Sequence, residues 1–578
     1  MIEKAIRFSR STSIALTICA VCLMLGAVPA QASPADSPTG EWSHDIEIPS
    51  PDMVGPDVFW TGPAAFSSPP DDPEVGDSWL WWLWVHQPMP PHFEQFQCTV
   101  RGKSDRGYVV VRDSDWLVSM DQADVDVILE RWENSSIGPY PDQGIYEIDS
   151  TAFGAPPDEL DDDIRIYQVW FDFNMSADGF FFWFDQYPDG TYPSYHSNEC
   201  EVVYLNTTSS GGPSGEYMLA VIAHEFQHMI HWLYDDNESS WVNEGLSELA
   251  MWLYGNPDNI SSFNSNPDNS LVEWDGNWAD YIKTYLWTLY FYENYGGHPS
   301  ILALVNESAN SIAGYDAVLD QFGYSQDFED VFADWVVANF LNDTTISDGR
   351  FGYVGDDLPP FNTAGTYSTY PLTDVYKTVN YWAADYYRFQ ELDTYDNLLL
   401  SFDGSDNNSY AVWVFVLPET GDTEVLRMPI NEAEQTGQVY VSDLDEDDDQ
   451  VVMAVAGISS SGTKGYYFSA EASTGIAVEE PSPLPLSITA SPNPFVGAIS
   501  IRMSWTDGLP GDGTSIEIYD LQGRLVRTLT ETLQSNDETV MLWDGTDDRG
   551  LHSGTGVYFA RVISGDGTGG QTLKLLCI

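Results

Sequence analysis

The spacing of apolar residues changes twice along this chain, and no single layer of structure accommodates all three patterns. Residues from about 75 to 205 mix short apolar runs with one helical stretch. There, 79–85, 108–112, 164–173 and 202–204 read as strands, while 121–132 carries Val125, Ile128 and Leu129 at helical spacing. From about 216 to 341 the pattern is helical. Long candidates lie at 217–234, 242–254 and 281–295, the last ended by Gly296-Gly297, with shorter ones at 300–307, 315–322 and 328–341. Beyond about 365 the alternation is two-residue, in 410–417, 438–441, 451–455 and 465–470, with Asn, Asp and Gly in the turns. That is the pattern of an antiparallel sandwich. A Pro-rich linker at 476–484 precedes a last small all-β unit, with turn signals at Asp512-Gly513, Asp544-Gly545 and Gly554. A chain of 578 residues needs more than one core in any case. The divisions expected are therefore 75–345, 365–475 and 485–578.

The N-terminus sets the compartment. Lys4, Arg7 and Arg10 form a basic start, residues 14–28 are apolar but too few to span a bilayer comfortably, and Ala30-Gln31-Ala32 supplies small residues at a cleavage point. This predicts a bacterial secretory signal peptide over 1–32, cut near Ala32, and a secreted or cell-surface protein. Residues 33–74 are rich in Pro, Asp and Ser and read as an irregular N-terminal segment, and no other apolar run is long enough to cross a membrane. The 90 acidic against 21 basic residues give a formal charge of −69, a field that repels nucleic acid and anionic lipid. A monomer is expected. Cys98, Cys200 and Cys577 remain after signal removal, too few for a disulfide framework, and Cys98–Cys200 is one permissible bridge.

The chemistry concentrates in Ala223-His224-Glu225-Phe226-Gln227-His228. On a helix, residues four apart share a face, so His224 and His228 can aim two imidazoles at one ion. Glu225 projects beside them, placed to take a proton from a water that a zinc ion has acidified. Three of the nine histidines fall between 224 and 231. A chance His-Glu-x-x-His in a chain this poor in His is expected on the order of once in a hundred sequences. A catalytic zinc site needs a third protein ligand and an open fourth position. A third histidine does not follow at the spacing that would supply it, since His231 stands where a Gly would and Tyr234 where the His would. Trp241-Val242-Asn243-Glu244-Gly245-Leu246-Ser247-Glu248 offers a carboxylate instead. Glu244 comes sixteen positions after His228, room for a turn and an antiparallel return, and is assigned as third ligand. Glu248, one turn on, suits an acceptor for the N–H of a ligand histidine, and the two carboxylates could exchange these roles.

Ala-His-Glu-Phe-Gln-His-Met-Ile-His followed by Trp-Val-Asn-Glu-Gly-Leu-Ser-Glu resembles the gluzincin zinc peptidases, and among them the hyicolysin-type secreted enzymes; the Asn-Glu-Gly element also recurs in gluzincin aminopeptidases. The resemblance covers about 75–345. It implies zinc held by His224, His228 and Glu244, with Glu225 catalytic, in a thermolysin-like two-lobed fold and a protein or peptide as substrate. In such a fold an edge strand just before the helix, here 201–205, would hold an extended substrate by main-chain pairing. Such enzymes also need a donor for the oxyanion; Tyr281, Tyr285 and His231 are candidates, and Tyr281 is chosen. Acidic clusters at 161–163 and 443–449 offer oxygen ligands for calcium but match no spaced calcium loop. Two other function classes stay open: a surface adhesion or structural protein with an inactive peptidase-like domain, and a zinc hydrolase of non-peptide amides.

The C-terminal unit carries a second resemblance. Ser491-Pro492-Asn493-Pro494-Phe495 is followed by Ile516-Glu517-Ile518-Tyr519-Asp520-Leu521-Gln522-Gly523-Arg524, by Trp543-Asp544-Gly545, and by Ser553-Gly554-Thr555-Gly556-Val557-Tyr558-Phe559. The series resembles the Ig-like sorting domains that end type IX secretion cargo, and is similar to the Ig-like module of flagellar hook-capping proteins. It implies the type IX secretion machinery as a partner. Residues 365–475 resemble the jelly-roll domains attached to secreted peptidases. The fold class expected is thus an α+β zincin-like catalytic domain followed by two all-β sandwich domains.

Overall fold

The computed structural model describes residues 69–577 except 159, 161–162, 193–194, 355–357, 419–420, 432, 443, 445–449, 459–460, 475–485, 492, 494, 506–514, 521–524, 530–532, 536–537, 547–551 and 564–568. The signal peptide, nearly all of the irregular N-terminal segment and most of both acidic clusters lie outside the described residues. Of those clusters, Asp163 is described, and it accepts from the Tyr108 hydroxyl at 2.8 Å and pairs with Arg165 at 2.9 Å. By their contacts the described residues form two compact units: those up to 258 with 274–281 and 301–308, and 259–273 with 282–300 and those from 309 onward. The whole is a mixed α and β protein with many sheets. Among the described residues no helix is long and apolar enough to cross a membrane.

The first unit is built on a six-stranded mixed sheet. Its strands are β1 (Ser78–Val85), β2 (His92–Lys103), β3 (Gly107–Arg112), β4 (Ile166–Phe171), β5 (Gly179–Phe181) and β6 (Val202–Asn206), in the order β1-β2-β3-β4-β6-β5. The pairs β3–β4 and β4–β6 are parallel and the others antiparallel. All residues of β4 and β6 are buried, as both faces of this sheet are covered. On one face Trp81, Tyr108, Tyr167, Phe171, Phe180, Phe182 and Tyr204 form a buried, largely aromatic cluster. On the other lie the helices α1 (Gln122–Glu133), α2 (Ile145–Phe153), α3 (Glu216–Tyr234) and α4 (Ser240–Tyr254). Asp121 caps α1 in a reciprocal capping box with Asp124. Helix α1 then lies so close on β2 that a Cβ at Gly102 would come within 2.5 Å of Val125.

Two expectations change here. Residues 201–205 are not the edge: β6 is paired on both sides, by β4 and by β5, and the sheet ends on β5. The misplacement has a physical reason, since β6 is apolar on both faces, while the true edge is only three residues long. Cys98 and Cys200 are both buried in the aromatic cluster, and no disulfide joins them.

The second unit opens with the short α5 (Ser261–Asn264). Helix α6 (Trp278–Asn294) begins one turn earlier than its apolar pattern suggests, and its residues from Ile282 belong to this unit. After α7 (His298–Val305), whose residues from Ile301 belong to the first unit, come α8 (Ile312–Phe322) and α9 (Phe328–Leu341). Eight strands with a short parallel partner then make a sandwich. They are β7 (Gly365–Tyr367), β8 (Leu372–Val379), β9 (Ala383–Phe389), β10 (Asn397–Gly404), β11 (Tyr410–Leu417), β12 (Glu424–Arg427), β13 (Thr436–Val441), β14 (Gln450–Gly457) and β15 (Lys464–Ser473). The sheets β13-β10-β15-β8 and β12-β11-β14, with the pair β7-β9, enclose Leu398, Leu400, Val412, Val414, Met453 and Phe468. Helix α9 docks on this sandwich: the Tyr386 hydroxyl donates to the Val336 carbonyl at 2.7 Å, and Phe340 meets Tyr386 and Phe415.

The C-terminal strands are β16 (Leu486–Ser491), β17 (Ile499–Trp505), β18 (Ser515–Asp520), β19 (Leu525–Leu529), β20 (Leu533–Ser535), β21 (Glu538–Trp543), β22 (Gly556–Ile563) and β23 (Gly569–Cys577). They form two sheets, β16-β17-β21-β20 and β19-β18-β22-β23, around Phe495, Ile501, Ile518, Trp543 and Ala560. The motif residues have work in this core. Asn493 donates to the Lys574 carbonyl and accepts from the Leu576 N–H, both at 2.8 Å, fastening β23, while Phe495 packs against Trp543.

Candidate metal centre

Helix α3 is apolar around most of its circumference, and every residue from Met218 to His231 is buried. Its polar residues are therefore carried inside the protein, where each needs a partner. Helix α4 follows after a short connection and supplies them. His224 Nε2 and His228 Nε2 stand 3.1 Å apart. Glu244 Oε2 lies 3.4 Å from the first and 3.6 Å from the second. These are the one group of three or more such side chains that converges among the described residues. A tetrahedral ion with bonds of about 2.1 Å holds its ligand atoms about 3.4 Å apart. The three separations bracket that value, and a donor set of two imidazoles and one carboxylate suits zinc.

The far sides of the imidazoles are also held. His224 Nδ1 is 3.4 Å from Glu248 Oε1, and both side chains are fully buried. The Ser247 hydroxyl is 3.1 Å from His228 Nδ1 and 3.3 Å from its Nε2, and donates to Gln227 Oε1. With an ion bound, a proton on His224 Nδ1 facing Glu248 would leave the Nε2 lone pair for the metal; without one, the Nε2 atoms face the Glu244 carboxylate as donors. Burial would raise the Glu244 carboxyl, but the neighbouring His228 and the hydrogen bonds from both histidines outweigh it and hold Glu244 well below the carboxylate range. Ser247 was not anticipated from sequence. The signal was present: Glu244, Ser247 and Glu248 repeat at helical spacing on an otherwise apolar, buried helix.

Glu225 is fully buried and lies under the edge strand. A Cβ on Gly179 would come within 2.6 Å of Glu225 Oε1, so only glycine allows β5 to pass this close. The strand is tied down beside α3 by Asp178, which accepts from the Tyr217 hydroxyl at 2.8 Å. Of the three candidate donors, Tyr281 is buried with its ring centroid 6.5 Å from that of His224, flanked by Trp274 and Trp278. His231 is engaged elsewhere. Its Nδ1 is 2.8 Å from Asn243 Oδ1, and burial pushes its pKa down to about 4. Tyr285 belongs to the second compact unit.

Comparison with known proteins bears on the other end of the chain. The family of secretion-system C-terminal sorting domains matches residues 490–575. The C-terminal module is thus a type IX secretion sorting domain, and the protein is exported by that system to the cell surface or beyond. No curated protein matches. Among solved structures, the chain is similar to PorZ, a surface component of the type IX secretion system of Porphyromonas gingivalis, at 19% identity over 19% of this chain and 14% of that one, with a TM-score of 0.12. It is similar to latent dimeric PorU of the same organism at 11% identity over 38% of this chain and 32% of that one, with a TM-score of 0.16. The chain thus spans less than a third of either structure, and likeness at this level says nothing of activity.

Proposed function

We propose that this exported protein is a zinc-dependent endopeptidase of the gluzincin type, with a zincin-like α+β domain carrying the site. The observation that supports the reading is the convergence of His224 Nε2, His228 Nε2 and Glu244 Oε2 at ligand-to-ligand distances. Zinc, when bound there, supplies a Lewis acid that lowers the pKa of water and polarises a carbonyl. The chain's own residues do the rest. Glu225 accepts the proton of the attacking water and passes it to the departing amine. Its burial keeps competing solvent away from that transfer. Glu248 holds the His224 imidazole from its far side, and Ser247 packs against that of His228. Tyr281, packed beside His224, is assigned to the oxyanion. The free side of β5 offers backbone groups to an extended substrate.

Casein hydrolysis by the purified protein and its Glu225→Ala variant, with zinc measured on both, tests this. Wild-type cleavage, and a variant that keeps its zinc but loses about 10²- to 10⁴-fold in rate, is the expected result. Zinc on both with no casein cleavage would sink the peptidase reading, and well-folded protein without zinc would sink the metal site.

A further inference from the structure

Strand β5 ends the six-stranded sheet, so its outer backbone groups face away from the ladder. Gly179, at its start, lies over Glu225. Side chains alternate along a strand, so Phe181 points to the same side as Gly179, about 7 Å further on. It does not meet solvent alone: its ring is 6.3 Å from that of Trp232. Trp232 stands one turn past His228 on α3, about 6 Å along the axis. Tyr187, just after the turn at Trp183–Gln186, closes the arc with its ring edge-on to Trp232 at 6.0 Å. All three rings are partly exposed, whereas Phe180 and Phe182, the alternating neighbours of Phe181, are buried in the cluster behind the sheet. The alternation gives this strand a core face and a second aromatic face that runs on from the metal-ligand cluster.

We infer that Phe181, Tyr187 and Trp232 form a subsite for a bulky aromatic or apolar side chain of the substrate, on the N-terminal side of the cleaved bond. This rests on the peptidase reading above. The direction follows from pairing. A peptide added antiparallel to β5 passes Phe181 first and reaches Gly179 and Glu225 afterwards, so the residues before the scissile bond cross the aromatic arc. Two residues of strand and one helical turn place the arc within about three residues of the bond. Apolar contact against three rings discriminates large side chains from small ones.

The test is a set of internally quenched peptides, alanine-based around the cleaved bond, with one phenylalanine at each of the three positions before it. The zinc-loaded full chain and its Trp232→Ala variant are compared. In the wild type, phenylalanine in at least one position raises kcat/KM about tenfold over the alanine peptide, and in Trp232→Ala that gain shrinks to within about threefold. The ratio is the readout, because partial unfolding of a variant lowers both rates together. Binding of the same peptides to Glu225→Gln protein, followed by fluorescence anisotropy, shows the same preference without turnover. Cleavage with no position giving more than a twofold gain, or a gain that Trp232→Ala leaves intact, overturns the subsite alone. Cleavage of no peptide by zinc-loaded protein overturns the peptidase reading and the subsite with it.

Discussion

Helices α3 and α9 are both long and buried, yet they handle polar residues in opposite ways. Helix α9 carries Asp334 and Asn339 inward, and each meets a group that answers it: Arg350 pairs with Asp334 at 3.0 Å, and the Tyr353 hydroxyl donates to Asn339 at 2.6 Å. Its first turn is capped by Asp327, and the Asn342 side chain that ends it accepts from the Tyr353 N–H. Helix α3 answers only part of its burden in this way, with Ser247 serving Gln227 and Asn243 serving His231. His224, His228 and, from α4, Glu244 are instead turned toward one another. Two ring nitrogens at 3.1 Å with a carboxylate oxygen beside them make a poor arrangement for stability alone and a good one for a cation. Polar groups buried in matched pairs point to architecture, and those converging on a common point to chemistry.

The comparison can be broken most sharply at Glu248. If it serves the cluster on α3 through His224, Glu248→Gln weakens zinc binding by about 10- to 100-fold in chelator competition while leaving the fold intact. An unchanged affinity would make Glu248 a structural residue like Asp334. The matching experiment on α9 is Asp334→Ala, which removes the partner of a part-exposed Arg350. It should cost about 1 kcal/mol in denaturant unfolding and leave zinc content unchanged.

A third effect lies outside both helices. Asp185 is a buried carboxyl answered by the Asn198 N–H at 2.6 Å and the Tyr204 hydroxyl at 2.7 Å. Burial nevertheless pushes its pKa up to about 7. The folded state therefore holds this proton between about pH 4 and 7 when the unfolded chain has released it. Its contribution to stability is complete below the unfolded pKa and is lost as pH rises through the folded one. Thermal melts should fall between pH 5 and pH 8, by a margin that Asp185→Asn reduces.

The parts of this molecule that sequence makes legible are those with a long period or a rigid chemical spacing. His224, Glu225 and His228 declare themselves because a helix converts their spacing into one face. Glu244 follows because a returning helix must bring its own polar face to meet them. The C-terminal module is legible for a different reason: Asn493, Phe495 and Trp543 each fill a fixed place in a small core. What stayed hidden is short or lacks contrast. Strand β5 has three residues inside a run of phenylalanines, with no polar alternation to mark its faces. Helix α2, Ile-Tyr-Glu-Ile-Asp-Ser-Thr-Ala-Phe, mixes β-branched and polar residues and is made helical by packing on α3. The role of Ser247 depends on which atoms approach, which no spacing reveals.

The close approach of β5 to Glu225 has a genetic consequence. Every amino-acid replacement reachable by one base change in a glycine codon adds at least a Cβ, and at position 179 that atom would come within 2.6 Å of the Glu225 carboxylate. The clearance over that carboxylate therefore depends on the absence of a side chain at this one position.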